Sequence, residues 1–185
     1  MERIKQRRLQ QMKKAQEQRA RWKADGHGEY REIVGEKEFF KEMKGVERMV
    51  AHFYRENWPC KVMDKHLDLL AKKHLETKFV KVHAEKFPYL TEKLQIWMLP
   101  TLALIRKEKV IDYICGFDDF GGKDDFKTEV LACRLANQAM IEYEGGDEDY
   151  GAVQQSAPQE QRSVRTSNWR AMQRTESDED SDFSD

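Results

Sequence analysis

The chain has 185 residues, 39% hydrophobic and 36% charged, so it has room for one compact domain of about 100–150 residues plus extensions, with any core concentrated in part of its length. Its net charge is only −1, yet residues 1–24 carry nine Lys/Arg against Glu2 and Glu17, a local +7, while residues 176–185 carry six acids and no base; this asymmetry predicts charged arms that meet partners, attached to a near-neutral body. Three cysteines, no apolar run near the ~20 residues of a bilayer span, and a basic start lacking a signal peptide's apolar segment argue against a secreted disulfide scaffold or membrane protein and for an intracellular, reducing compartment.

In chain order, residues 1–23 contain no Pro or Gly and are rich in Gln, Lys, Arg and Ala, which predicts a helix. Ile4, Leu9, Met12, Ala15 and Trp22 give it a thin apolar stripe, suited to a solvated helix or to a coiled coil with a partner. The glycines of Asp25-Gly26-His27-Gly28 end it. An edge strand is expected near 30–34, then a short helix over 36–44 presenting Phe39, Phe40 and Met43. Residues 48–54 read as an apolar strand, and 60–75 as an amphipathic helix with Met63, Leu67, Leu70, Ala71 and His74 at i, i+4, i+7 and i+8 spacing.

A strand over 78–82 and a short helix over 89–94 follow, then strands over 101–105 and 110–114 joined across Arg106-Lys107-Glu108-Lys109. Gly121-Gly122 leads into a helix near 124–137 carrying Phe126, Val130 and Cys133 on one side. Strands alternating with helices predict parallel crossover units, and the closing hairpin adds an antiparallel pair. The expected division is a basic N-terminal helix over 1–27, an α/β domain over 28–144 with a mixed four- to five-stranded sheet, and an acidic tail over 145–185. That tail is polar and aperiodic, and is expected to be disordered.

The stretch Asn57-Trp58-Pro59-Cys60-Lys61 stands at a strand-to-helix junction, and Met98-Leu99-Pro100-Thr101 precedes a strand. With the element order, these motifs resemble the thioredoxin fold over 28–137. The resemblance implies a redox turn in which two cysteines stand three apart, with a cis-proline at Pro100 beside it. Cis is accessible before proline and rare elsewhere, so that residue type is required there. In this chain the first cysteine's position is Asn57, and only the second, Cys60, remains. Asparagine cannot attack a disulfide, but it is a preferred N-cap for the helix that follows, and Pro59 is tolerated in a first turn. Ala51 stands where thioredoxins carry a buried proton-relaying acid, and Glu56 where they carry a tryptophan. Asn57, Trp58, Pro59 and Cys60 are therefore expected to form a degenerate redox site with no catalytic residue.

His27-Gly28-Glu29-Tyr30, His52-Phe53-Tyr54-Arg55, the Pro-Thr-Leu-Ala-Leu run at 100–104, Gly116-Phe117, the basic helical start and the acidic Ser/Asp end resemble the phosducin-like family, which has a thioredoxin fold. That resemblance implies a non-catalytic co-factor of the cytosolic chaperonin CCT. Actin or tubulin would be the clients, and microtubule organisation and cell division the processes affected. The implied location is the cytoplasm, with additional nuclear or centrosomal pools.

Two rivals remain open: a single-cysteine thiol oxidoreductase or redox sensor using Cys60, and a nucleic-acid or membrane adaptor led by the basic helix. The five histidines show no metal-ligand spacing with a cysteine, and no phosphate-binding glycine loop is present, so no metal and no cofactor is expected. The basic stretch has Trp22 as its one aromatic, and nucleic-acid and membrane binding are not expected. In the tail, Thr175 and Ser177 each have an acid three residues on, the pattern of acid-directed kinases, and are candidate phosphosites.

Overall fold

The computed structural model describes residues 2–142. The tail over 145–185, with Thr175 and Ser177, lies outside the described residues. Helix α1 spans Glu2–Ala24, followed by β1 (Tyr30–Ile33), α2 (Glu36–Met43), β2 (Arg48–Tyr54) and α3 (Trp58–Lys73). Strand β3 (Lys78–His83) leads through a 3₁₀ turn (Ala84–Lys86) to α4 (Pro88–Lys93). Strands β4 (Thr101–Arg106) and β5 (Lys109–Cys115), a second 3₁₀ turn (Asp118–Phe120) and α5 (Thr128–Asn137) complete the order.

The five strands form one mixed sheet in the order β1-β3-β2-β4-β5. Strands β1, β3 and β2 run parallel, and β4 and β5 are antiparallel additions. Helices cover both faces, which is why the central strands read as nearly continuous apolar runs rather than alternating ones. On one face, Val50, Phe79, Leu102, Leu104 and Ile114 pack with Met63, Leu67 and Leu70 of α3 and Leu131 and Leu135 of α5. On the other, Met49, Ala51, Phe53, Val80, Val82 and Ile105 pack with Phe39 of α2 and Leu90 of α4. Full burial of each such large side chain contributes roughly 1.5–3 kcal/mol.

Most boundaries shift by only one or two residues, and three of the differences have a local reason. Helix α3 begins at Trp58 rather than Cys60, because Asn57 caps it one turn further back. The β4–β5 turn is two residues rather than four, with Lys107 at φ 47° and Glu108 at φ 65°. Helix α5 begins at Thr128, not near 124, since the preceding residues are used otherwise. Asp124 accepts a hydrogen bond from the Trp58 indole, and Phe126 stacks on both His66 and Phe120.

Left-handed backbone at two successive non-glycine residues is costly, and Asn-Gly adopts it far more readily. Replacing Lys107-Glu108 with Asn-Gly should therefore raise stability by about 1 kcal/mol, read as a higher urea midpoint. An unchanged or lower midpoint would show that the Glu108 carboxylate, which accepts from the Gly45 N–H at 3.0 Å, outweighs the backbone gain.

Candidate functional site

The sheet register brings the expected motifs to one end of the molecule. Phe53 of β2 pairs with Thr101 of β4, and Thr101 pairs with Cys115 of β5. The turn after β2, the proline before β4 and the glycine after β5 therefore lie side by side. Arg55 to Asn57 turn the chain with an Asn57 N–H to Arg55 carbonyl bond of 2.8 Å. Asn57 is extended (φ −131°, ψ 166°), and its Oδ1 accepts from the Cys60 N–H at 3.0 Å. The side chain in the attacking position is thus committed to satisfying a helix N–H that has no partner within the helix.

Cys60 is 1% exposed and is a free thiol. Burial pushes its pKa up and the negative charge of Asp64 adds to this, while the Arg55 backbone and charge oppose. A reactive cysteine needs the reverse environment, electropositive and partly exposed. Trp58 is 61% exposed; its indole N–H donates to Asp124 at 2.9 Å, and the Lys65 ammonium lies 5.7 Å from its ring centre. The Leu99–Pro100 peptide bond is cis, and the Pro100 carbonyl accepts from the Gly116 N–H at 2.8 Å. Gly116 has φ +61°, and a Cβ there would meet the Met98 sulfur at 3.5 Å, so this loop and the proline loop are in contact.

Sequence reasoning missed a polar cluster one turn beyond Cys60. The Tyr30 hydroxyl of β1 donates to Asp64 Oδ1 at 2.6 Å, and His52 Nδ1 of β2 lies 3.0 Å from the same oxygen. Tyr30 Oη and His52 Nδ1 are 2.8 Å apart, and the Lys81 ammonium stands 3.8 Å from Asp64 Oδ2. Burial lowers the pKa of His52 despite the carboxylate beside it, so the ring is neutral and Nδ1–H is the donor to Asp64. Burial alone would raise the Asp64 pKa, but the bonds from His52 and Tyr30 together outweigh it and hold the carboxyl low. Burial, and then Asp64, raise the Tyr30 phenol.

His52 Nε2 is buried with no hydrogen-bond partner. The cluster ties α3 to both β1 and β2 and fixes a negative charge near the Cys60 thiol. The available signal was His52 itself, two residues after Val50 and so on the same buried face of its strand.

Ala51 is fully buried on the opposite face of β2, among apolar neighbours. His66 bonds Thr128 at 2.8 Å and stacks on Phe126, and His74 pairs with Glu76 at 3.0 Å. Among the described residues no group of three or more His, Cys, Asp or Glu is placed to hold a metal ion, and no helix is long and apolar enough to cross a membrane.

The family model for thioredoxin matches residues 31–128. A thioredoxin domain-containing protein 9 homolog of Arabidopsis thaliana is 55% identical over 167 residues, 90% of this chain and 78% of that protein. Phosducin-like protein 3 of Drosophila melanogaster is 46% identical over 143 residues, 77% of this chain and 66% of its own length. Among solved structures, a Plasmodium falciparum thioredoxin superposes with a TM-score of 0.51 at 20% identity, covering 59% of this chain and 99% of that one. At that identity the likeness speaks to the fold alone.

Proposed function

The chain belongs to the family of thioredoxin domain-containing protein 9 and phosducin-like protein 3, built on a thioredoxin fold, and on that premise we propose that it is a non-catalytic co-factor of the cytosolic chaperonin CCT. In this reading it modulates the folding of actin or tubulin, and through it microtubule organisation and cell division. It acts in the cytoplasm, with additional nuclear or centrosomal pools.

The observation that carries the non-catalytic part is Asn57. Thiol–disulfide exchange needs a thiolate at the start of the helix and a second thiol to resolve the mixed disulfide. Here the first position is an amide that caps the helix, and the remaining thiol is buried beside a carboxylate. The chaperonin rests on the resemblance to phosducin-like proteins. The exposed, basic α1 supports it physically, since a charged helix outside a packed domain supplies attraction to a large charged surface at no packing cost.

Co-sedimentation with purified chaperonin tests this reading. The full chain should co-sediment, Cys60→Ser should bind alike, and removal of residues 1–24 should weaken binding severalfold and flatten its salt dependence. No co-sedimentation of the full chain at low salt would overturn the chaperonin assignment. Loss of binding in Cys60→Ser alone would transfer the interaction to the old redox face.

A further inference from the structure

We infer that the solvent face of helix α3 is a docking surface for an acidic, amphipathic helix of a partner protein. This surface is separate from α1, and the inference does not depend on the chaperonin reading.

Helix α3 turns Met63, Leu67, Leu70 and Ala71 into the core. Its other side carries Trp58, Val62, Lys65, Leu69 and Lys72, spaced four, three, four and three residues apart. At 100° per residue these five fall within about 80° of one another, in a stripe about 21 Å long. Alternating spacings of four and three are those of a seam along which two helices pair. The solvent side of a helix is ordinarily polar, yet here Trp58 is 61% exposed and Leu69 57% exposed. Val62, between them in the stripe, is half-buried.

The stripe is also held in place before any partner arrives. Asn57 caps the helix at the Cys60 N–H, which fixes its first turn. The Trp58 indole N–H donates to Asp124 at 2.9 Å, and the Lys65 ammonium lies 5.7 Å from the ring centre. Two other side chains therefore orient a ring that still meets water over most of its surface. A tryptophan fixed in this way loses little freedom on binding, and tryptophans of this kind anchor interfaces.

The charge of the stripe sets the chemistry of the partner. Lys65 and Lys72 stand within it and Lys61 and Lys73 beside it, all four exposed. Asp68 pairs with Lys72 at 2.6 Å, which leaves an excess of positive charge along this side. A second copy of the chain would set lysine against lysine, along the whole stripe if parallel and at Lys65 if antiparallel about that residue, and like charges so placed are costly. A nucleic acid would meet the lysines and give Leu69 no apolar contact. A helix with leucines opposite Trp58 and Leu69, and glutamates opposite Lys65 and Lys72, satisfies both the apolar and the cationic positions.

Titration of the full chain with a synthetic acidic helix, followed by amide NMR, tests the inference. The peptide has three heptads, with leucine and glutamate at its seam positions and glutamate and alanine elsewhere. The expected result is a saturable set of shift changes in residues 57–73 and at the Trp58 indole N–H. Trp58→Ala and Leu69→Gln should each weaken that binding about tenfold, with the signals of the sheet unchanged because both side chains lie in solvent. A peptide with glutamine in place of leucine, and a single-stranded DNA 15-mer, should each bind α3 at least about tenfold more weakly than the leucine peptide. Changes confined to residues 2–24 would overturn the inference. Equal binding to α3 by the leucine-free peptide or the DNA would overturn it as well, as would an affinity unchanged in the two variants.

Discussion

Replacing Arg134 with alanine should lower the stability of the domain by about 3–5 kcal/mol, the range for stranding the partners of a buried ion pair. Arg134 is 2% exposed on α5. Its Nη2 donates to Asp112 of β5 at 2.6 Å and its Nε to Asp119 at 2.7 Å. Burial alone would lower the guanidinium pKa, but the two carboxylates outweigh it and hold the charge firmly. Alanine would leave two partly enclosed carboxylates facing each other over a cavity. The urea midpoint reads the loss, and Arg134→Met combined with Asp112→Asn and Asp119→Asn should recover most of it, because it removes charge from all three positions. A drop below about 1 kcal/mol in Arg134→Ala would mean that α5 is held by its apolar face alone.

Replacing Asp64 with alanine should cost about 2–4 kcal/mol, since it removes the shared acceptor of two enclosed donors, the Tyr30 hydroxyl and His52 Nδ1–H. The same cluster sets a direction for acid unfolding. The folded pKa of Asp64 lies below its unfolded value, so its contribution is complete above about pH 4 and is lost as pH falls through the folded value. His52 is also held below its ordinary value, so the unfolded state takes up its proton first, and stability begins to fall below about pH 6.5. The wild type should therefore lose stability in two acid steps, and Asp64→Ala should show a smaller lower one, the remainder coming from Glu42 and Glu76, whose carboxyls are also held below the ordinary value by their partners. A mutant with the same pH profile as the wild type, merely offset, would show that the Asp64 carboxyl is not the group that titrates.

Much of this architecture was legible because single residues carried it. Strand β2 appears over Arg48–Tyr54 as its apolar run implies, and Met63, Leu67, Leu70 and Ala71 face the core at their helical spacing. Asn57 at the mouth of a helix announced a cap, and the cap is made. What escaped depended on contacts distant in sequence. Residues 124–127 have helical company on one side only, but Trp58, 66 residues away, takes Asp124. The Tyr30–His52–Asp64 cluster joins three elements, and His52 and Asp64 are twelve residues apart, so no local pattern displays it. The hairpin turn looked longer because Lys107 and Glu108 are poor residues for left-handed backbone; the flanking pairing of Arg106 with Lys109 overrides them.

Steady-state reduction of insulin disulfides by the full chain, in parallel with Cys60→Ser, tests most directly the claim that this thioredoxin fold has left thiol exchange behind. A capping amide at position 57 and a buried thiol at position 60 predict no turnover above the reductant alone, identical in the two proteins. Turnover at a rate comparable to that of a dithiol thioredoxin, and abolished in Cys60→Ser, would contradict the account.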